Sequence, residues 1–463
     1  MRSRGGSTEG PGASVTGAIG RARKWLGSKL VARRFAFHVG ALTLSNFWKA
    51  VLGFFQGIFV ARWLGPELYG VAALVVSYPN LLFGFLDARS FEASVKYLSE
   101  FHARGERERA LSMCGLGYLI DVAVALVLLS IVVATADWAA SKIVGRRELA
   151  WLVIVYGASF LPRSLFGTSY AVLATFGKFS LVAVLDMLIA GIRTGLVLGL
   201  VYSGWEVAGV IWGDVIATTM MGLLYGGIAS NFIMRAWSGL PWQCKWEALK
   251  GQGREIFRFL AYNDLSALLA TIPKQLDVLL LGYFRSPTEV GYYKLARSLA
   301  GAVGYLVKPL QSVTYPDLAR LWGVGERERL RRRVRKLALQ VGLPLGVGVA
   351  GGVVLVPSIL VLLVGEAFRP AILAAQLLLL GSAVWLGMFW LRPFYLAQGR
   401  LKIWAKISFI TSSLSLVGFC LIAPVWGYIG MAAWLALMHC LGHVLGLVFL
   451  RGRDELTCRA GRR

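Results

Sequence analysis

The chain has 463 residues, 49 Lys and Arg against 24 Asp and Glu, a formal charge of +25 and 57% hydrophobic residues, with a mean hydropathy of +0.64. Soluble domains carry about 25% charged residues, whereas this chain carries 16%, too few to cover so much apolar side chain with a wetted surface. An ordinary cytosolic enzyme is excluded. The isoelectric point near 10.2 would point to nucleic acid if the basic residues striped a soluble domain. Here they interrupt long apolar runs, so the implied partner is membrane lipid and not nucleic acid.

Residues 1–35 are rich in Gly, Ser and Arg and hold no apolar core of the signal-peptide kind, so they are expected to form a disordered, basic cytoplasmic tail. A hydrocarbon layer of about 30 Å needs about 20 apolar residues per helix. Such runs recur at 38–61, 68–87, 110–136, 149–173, 179–202 and 207–234, which sets an N-terminal six-helix lobe over 36–236. A basic linker follows at 237–257. A second lobe over 258–451 contains runs at 258–283, 290–316, 337–364, 371–396, 403–423 and 427–450, and a basic tail closes the chain at 452–463. The expected fold is therefore an all-α polytopic membrane protein with about twelve spans.

Lys and Arg resist translocation, so loop charge reports orientation. With both termini in the cytoplasm, 35 of the 49 basic residues fall in the tails and on cytoplasmic connections, against six on the opposite side: Arg62, Lys142, Arg146, Arg147, Arg285 and Arg369. The remaining eight lie within spans. The expected location is a cell membrane, crossed many times.

The chain also repeats itself. Gly105-Glu106-Arg107-Glu108-Arg109 recurs 220 positions on as Gly325-Glu326-Arg327-Glu328-Arg329, each time ahead of a long apolar run. Pro66 and Gly70 match Pro287 and Gly291 at 221, Gly177-Lys178 matches Gly399-Arg400 at 222, and Trp205 and Gly209 match Trp426 and Gly430 at 221. Four landmarks in order describe two lobes related by a parallel internal repeat. Because each lobe has an even number of spans, the pseudo-twofold axis lies along the membrane normal. Such a pair encloses a cavity that can open to either side.

The stretch Phe59-Val60-Ala61-Arg62-Trp63-Leu64-Gly65-Pro66-Glu67-Leu68-Tyr69-Gly70 resembles the "ARxLGPxxYG" turn after the first helix of polysaccharide-transport proteins. These are the oligosaccharide flippases of the multidrug/oligosaccharidyl-lipid/polysaccharide (MOP) exporter superfamily, and the Gly177-Lys178 and Gly399-Arg400 turns are similar to theirs. The resemblance covers about 38–450. It implies a twelve-helix, two-lobed exporter fold that moves a polyprenyl-diphosphate-linked oligosaccharide across the cytoplasmic membrane. It also implies a secondary transporter and not an enzyme, with no cofactor beyond a coupling H+ or Na+. Polymerase and glycosyltransferase partners from the same pathway are plausible on the same ground.

Ionisable residues inside spans cost roughly 2.5–3.5 kcal/mol each at a helix centre, so they mark function or internal pairing. Asn46, Lys49, Gly53 and Gln56 share one stripe of span 1, and the repeat maps Gly53 and Gln56 onto Lys274 and Asp277. In span 8, Lys294, Arg297, Gly301 and Lys308 form another stripe beside Tyr305, and span 2 carries Asn80, Gly84 and Asp87. The resemblance implies that the first two helices of each lobe line a central cavity. Lys49, Lys274, Arg297 and Lys308 would make that cavity cationic and suited to a lipid-linked diphosphate. Gln56, Asn80 and Tyr305 would meet carbohydrate.

Plainer readings stand beside these. Lys294 and Arg392 sit near span ends, where snorkelling to the interface also accounts for them. Lys274 and Asp277 can neutralise each other. Asp121, Arg163, Asp186, Arg193 and Asp214 can form ion pairs within the first lobe, with Asp186 and Arg193 two turns apart on one face. On the functional reading, a carboxylate such as Asp277, Asp186 or Asp121 binds the coupling ion. His439 and His443 lack a third ligand and read as packing residues, and the five cysteines show no metal or disulfide spacing. No phosphate-binding loop of the nucleotide type is present. The competing function is a small-molecule or multidrug antiporter of the same superfamily, which would favour a more anionic or apolar cavity.

Overall fold

The computed structural model describes residues 12–86, 90–239, 246–249, 255, 258 and 276–460. Among these residues the structure is all helical, without a strand. The N-terminal lobe contains α1 (Gly12–Leu86), α2 (Ser90–Arg104), α3 (Arg107–Ala139), α4 (Ala150–Ala158), α5 (Phe160–Thr175), α6 (Phe179–Leu200) and α7 (Glu206–Trp237). The C-terminal lobe contains α8 (276–284), α9 (Pro287–Ala302), α10 (Gly304–Gly323), α11 (Arg327–Leu337), α12 (Leu343–Gly352), α13 (Val356–Val364), α14 (Ala371–Gly387), α15 (Leu391–Ala397) and α16 (Leu401–Ala460). Two of these helices each hold a pair of predicted spans, with α1 broken at Gly65 and α16 at Gly427.

Eleven of the twelve predicted spans fall on described helices. The seventh, 258–283, lies mostly outside the described residues, as do Lys274 and Asp87. At the N-terminus α1 begins at Gly12, within the stretch expected to be disordered. The Ala, Arg, Lys and Leu residues between 18 and 33 are good helix formers and run straight into the first span.

The repeat reappears as matched backbone closures. Gly105 and Gly325 are left-handed, with φ of 73° and 80°. Each ends its helix with the paired bonds of a glycine cap: Gly105 N donates to His102 O (3.1 Å) and Glu106 N to Phe101 O (2.9 Å), while Gly325 N donates to Trp322 O (3.1 Å) and Glu326 N to Leu321 O (3.1 Å). The following turn also matches, since Arg109 reaches back to Glu106 at 2.9 Å and Arg329 to Glu326 at 2.8 Å. Gly177 and Gly399 close their helices in the same way. At the other end of the bundle Gly145 and Gly365, 220 apart, form a further left-handed pair that the sequence comparison does not single out.

The core shows how the lobes meet. At the end opposite the basic Gly-Glu-Arg-Glu-Arg turns, one continuous core joins Leu74, Val132 and Val153 to Leu281, Tyr293 and Phe419. There Phe368 packs edge-on against Tyr69 of one lobe and Tyr292 of the other, with ring centres 6.1 and 6.0 Å away. Toward the basic end the described residues form separate cores, around Phe101, Met113 and Ile233 in the first lobe and Leu318, Leu330 and Ala397 in the second. The lobes are thus sealed together at one end, and among the described residues they share no core at the other.

Candidate functional site

Past the Pro66–Gly70 turn, the second half of α1 descends toward the basic end beside α9, which starts at the equivalent Pro287. At 1.5 Å per residue, Lys294 and Arg297 stand about 4.5 and 9 Å below Gly291 along α9. They line a cavity of about 410 Å3 with Ser298, with Val278 of α8, and with Ser77 and Asn80 of α1, so both lobes contribute to its walls. Asn80 is fixed by donating to Val76 O (2.8 Å) and to the Tyr156 hydroxyl (2.9 Å), which hold its amide at the wall.

Arg297 is held by Asp277. The two form an ion pair, and the carboxylate, 1% exposed, also accepts from the Tyr293 hydroxyl (2.9 Å) and from Val278 N (2.8 Å). A buried carboxylate needs that set of donors to stay charged in a low-dielectric interior. Lys294, one turn before Arg297 on the same face, points into the cavity without a carboxylate partner among the described residues. Lys294 thus stands beside Arg297 on the cavity wall.

The other expected site residues are distributed as follows. Lys49 pairs with Asp186 at 2.5 Å, and the Tyr225 hydroxyl donates to the same carboxylate at 2.7 Å. Arg193 bonds both oxygens of Asp214 (2.5 and 2.8 Å), so the expected Asp186–Arg193 pair is replaced by two separate pairs. The correction is geometric: Asp214 of α7 and Lys49 of α1 face α6 from neighbouring helices and meet the charges head-on, whereas two residues on one helix at seven apart point in parallel. Gln56 accepts from Thr194 (3.3 Å), and Asp121 accepts from Thr168 (2.9 Å). Arg163 stacks on the Phe83 and Phe160 rings, 4.8 and 5.2 Å from their centres. Lys49, Gln56, Asp121 and Asp186 thus have partners within the first lobe and are not among the residues lining the 410 Å3 cavity.

Lys308 lines a second, larger cavity in the C-terminal lobe, which Arg297 and Arg392 also reach. Tyr305 is 43% exposed and lines neither cavity. Arg297 and Lys308 share the second cavity, whose described lining belongs to the C-terminal lobe and does not lie between the lobes, and Lys49 is not among the residues lining either cavity. Lys294 carried a readable signal, its three-residue spacing from Arg297. Tyr156 and Tyr293 carried none, since their roles arise from contacts across helices.

Comparison with known proteins agrees with this architecture. A family profile described as "Polysaccharide biosynthesis protein" matches residues 37–322. An inward-facing multidrug-resistance MATE transporter of the MOP superfamily is similar at a TM-score of 0.70 and 14% identity, over 89% of this chain and 96% of that one. The lipid II flippase MurJ in an inward closed conformation is similar at 0.68 and 14% identity, over 89% and 87%. A point mutant of the MATE transporter VcmN of Vibrio cholerae follows at 0.58 and 14%, over 92% and 98%. No curated protein sequence matches the chain. With a family match across more than half its length and a fold shared with these structures, the chain belongs to the polysaccharide biosynthesis protein family.

Proposed function

We propose that this protein is a secondary transporter that flips a polyprenyl-diphosphate-linked oligosaccharide across the cell membrane for surface polysaccharide assembly. In this reading the basic end and both termini face the cytoplasm, as the loop charges require. The observation that carries the reading is the interlobe cavity, which presents Lys294 and Arg297 on one wall and the Asn80 amide on the other, below a sealed interface.

A diphosphate entering from water loses its hydration, and charge-assisted contacts replace it where the dielectric is low. Arg297 is offset by Asp277, so the uncommitted charge comes from Lys294. Asn80, Ser77 and Ser298 offer the donors and acceptors that sugar hydroxyls need. Transport then requires the sealed end to part and the basic end to close, a rocking of two lobes with no covalent step. A multidrug antiporter suited to cationic compounds would not place two cations there. We assign coupling H+ or Na+ to the carboxylates Asp277, Asp186 and Asp121, the first being in direct contact with the substrate-facing Arg297.

The test is export of the glycan in cells that depend on this chain. Lys294→Ala is expected to lower surface glycan about tenfold, and Arg297→Ala to lower it at least as far, each normalised to the amount of membrane-inserted protein. Normal export with both substitutions would overturn the reading.

A further inference from the structure

The second cavity is walled by helices of the C-terminal lobe and measures about 1220 Å3, above the roughly 300–1,000 Å3 of ordinary small-molecule sites. The internal repeat sets its lining apart from the matching face of the first lobe. Asp186 and Arg193 of α6 stand 222 positions before Ser408 and Ser415 of α16, and Asp214 of α7 stands 221 before Leu435. In the first lobe these three positions fill the interior with ion pairs, Asp186 with Lys49 and Arg193 with Asp214. In the second lobe two serines and a leucine occupy them, and all three line the cavity. Short side chains stand where the sister lobe has long, paired ones, and they face the cavity.

We propose that this cavity receives the isoprenoid chain of the lipid-linked substrate, with the adjoining phosphate held by Arg297 and Lys308. The proposal rests on the flippase reading and extends it by dividing the substrate between lobes. Arg297 lines both cavities, so it stands where the charged link between sugar and lipid would lie. The walls are largely apolar, with Leu378, Trp385, Phe409, Phe419 and Met438 among them. Hydroxyls are present, but Thr411 donates to Ile407 O (3.0 Å) and Ser415 to Thr411 O (2.7 Å), so these donors are spent on their own helix and not offered to a sugar. Lysines and arginines at the wall outnumber carboxylates, since Asp277 is the one acidic residue among the described lining and already serves Arg297. An anion joined to a long apolar body matches that combination.

The test uses the purified full-length protein and a sugar-free, long-chain polyprenyl phosphate, with binding followed by native mass spectrometry. Ser415→Phe and, independently, Ser408→Leu fill the cavity and are expected to weaken binding about tenfold, the factor that a lost methylene or two represents, at an unchanged melting temperature. Geranyl phosphate, too short to need the cavity, is expected to bind wild type and both variants alike. Lys308→Gln is expected to weaken the polyprenyl phosphate and leave the uncharged polyprenol unaffected. Undiminished long-chain binding by both filled variants would overturn the proposal, as would displacement of the cavity's ligand by free oligosaccharide in place of prenyl phosphate. The probe carries no sugar, so the two readings separate. Prenyl binding without any export defect on loss of the protein refutes the flippase reading, whereas an export defect without prenyl binding refutes this cavity assignment alone.

Discussion

Gly70 and Gly291, equivalent in the two halves of the chain, face each other across the lobe interface, and neither has room for a side chain. A methyl group on Gly70 would overlap the Pro287 carbonyl, and one on Gly291 would overlap the Pro66 carbonyl. Each lobe presents the same proline turn to the other's glycine, a self-complementary contact of the kind twofold interfaces make. This seam closes the end of the molecule opposite the basic turns.

Gly70→Ala and Gly291→Ala are expected to destabilise the sealed form by about 1–3 kcal/mol each, the usual cost of overpacking. The drop should appear in the melting temperature and in faster labelling of a cysteine placed at Ser77. Gly53 has nothing within 4 Å of an added methyl, and Gly53→Ala serves as the control that leaves both readings unchanged.

The Asp277–Arg297 pair makes a second prediction. Arg297→Gln strands a carboxylate that is 1% exposed, and removing one partner of a buried pair costs about 3–5 kcal/mol. Combining it with Asp277→Asn is expected to recover most of that loss. Thermal melting of the two single variants and the double variant checks the coupling, and additive losses would contradict it.

Pseudo-symmetry is testable at the basic turns. Gly105→Ala and Gly325→Ala each place a Cβ in the left-handed region at about 1–2 kcal/mol, whereas Glu106→Gln and Glu326→Gln weaken a partly exposed pair three residues apart worth about 0.2–0.5 kcal/mol. Chemical-denaturation midpoints should rank the two classes in that order in both lobes.

The interior cations should differ in their effect on export. Lys294→Gln removes the uncommitted cavity charge and is expected to lower export about tenfold, as loss of a charge-assisted contact of about 1.5 kcal/mol would. Lys49→Met removes a charge already satisfied by Asp186 and should fall well short of that effect. Initial rates of glycan appearance at the surface, normalised to protein level, make the comparison. An equal loss for both would place Lys49 in the substrate path.

The spans, their breaks and the doubling of the chain were legible because each depends on local chemistry. Apolar run length reports span length, and Gly at a helix end reports a left-handed cap, as at Gly177 and Gly399. The charge partners were less legible. Asp186 and Arg193 share a helical face, so spacing alone offered a pair, and only the approach of α1 and α7 redirected them to Lys49 and Asp214. Lys294 read equally as an interfacial residue, because depth below a seam is not written in a one-dimensional spacing.

By itself, the sequence determined that this chain is a helical membrane protein of two parallel halves, since hydrophobic length, basic loops and a 220-residue echo are properties of the chain alone. The tertiary structure decided which end is sealed, which cations are already paired and which helices line the larger of the two cavities. Those are outcomes of side chains meeting across helices, which spacing along one helix does not record.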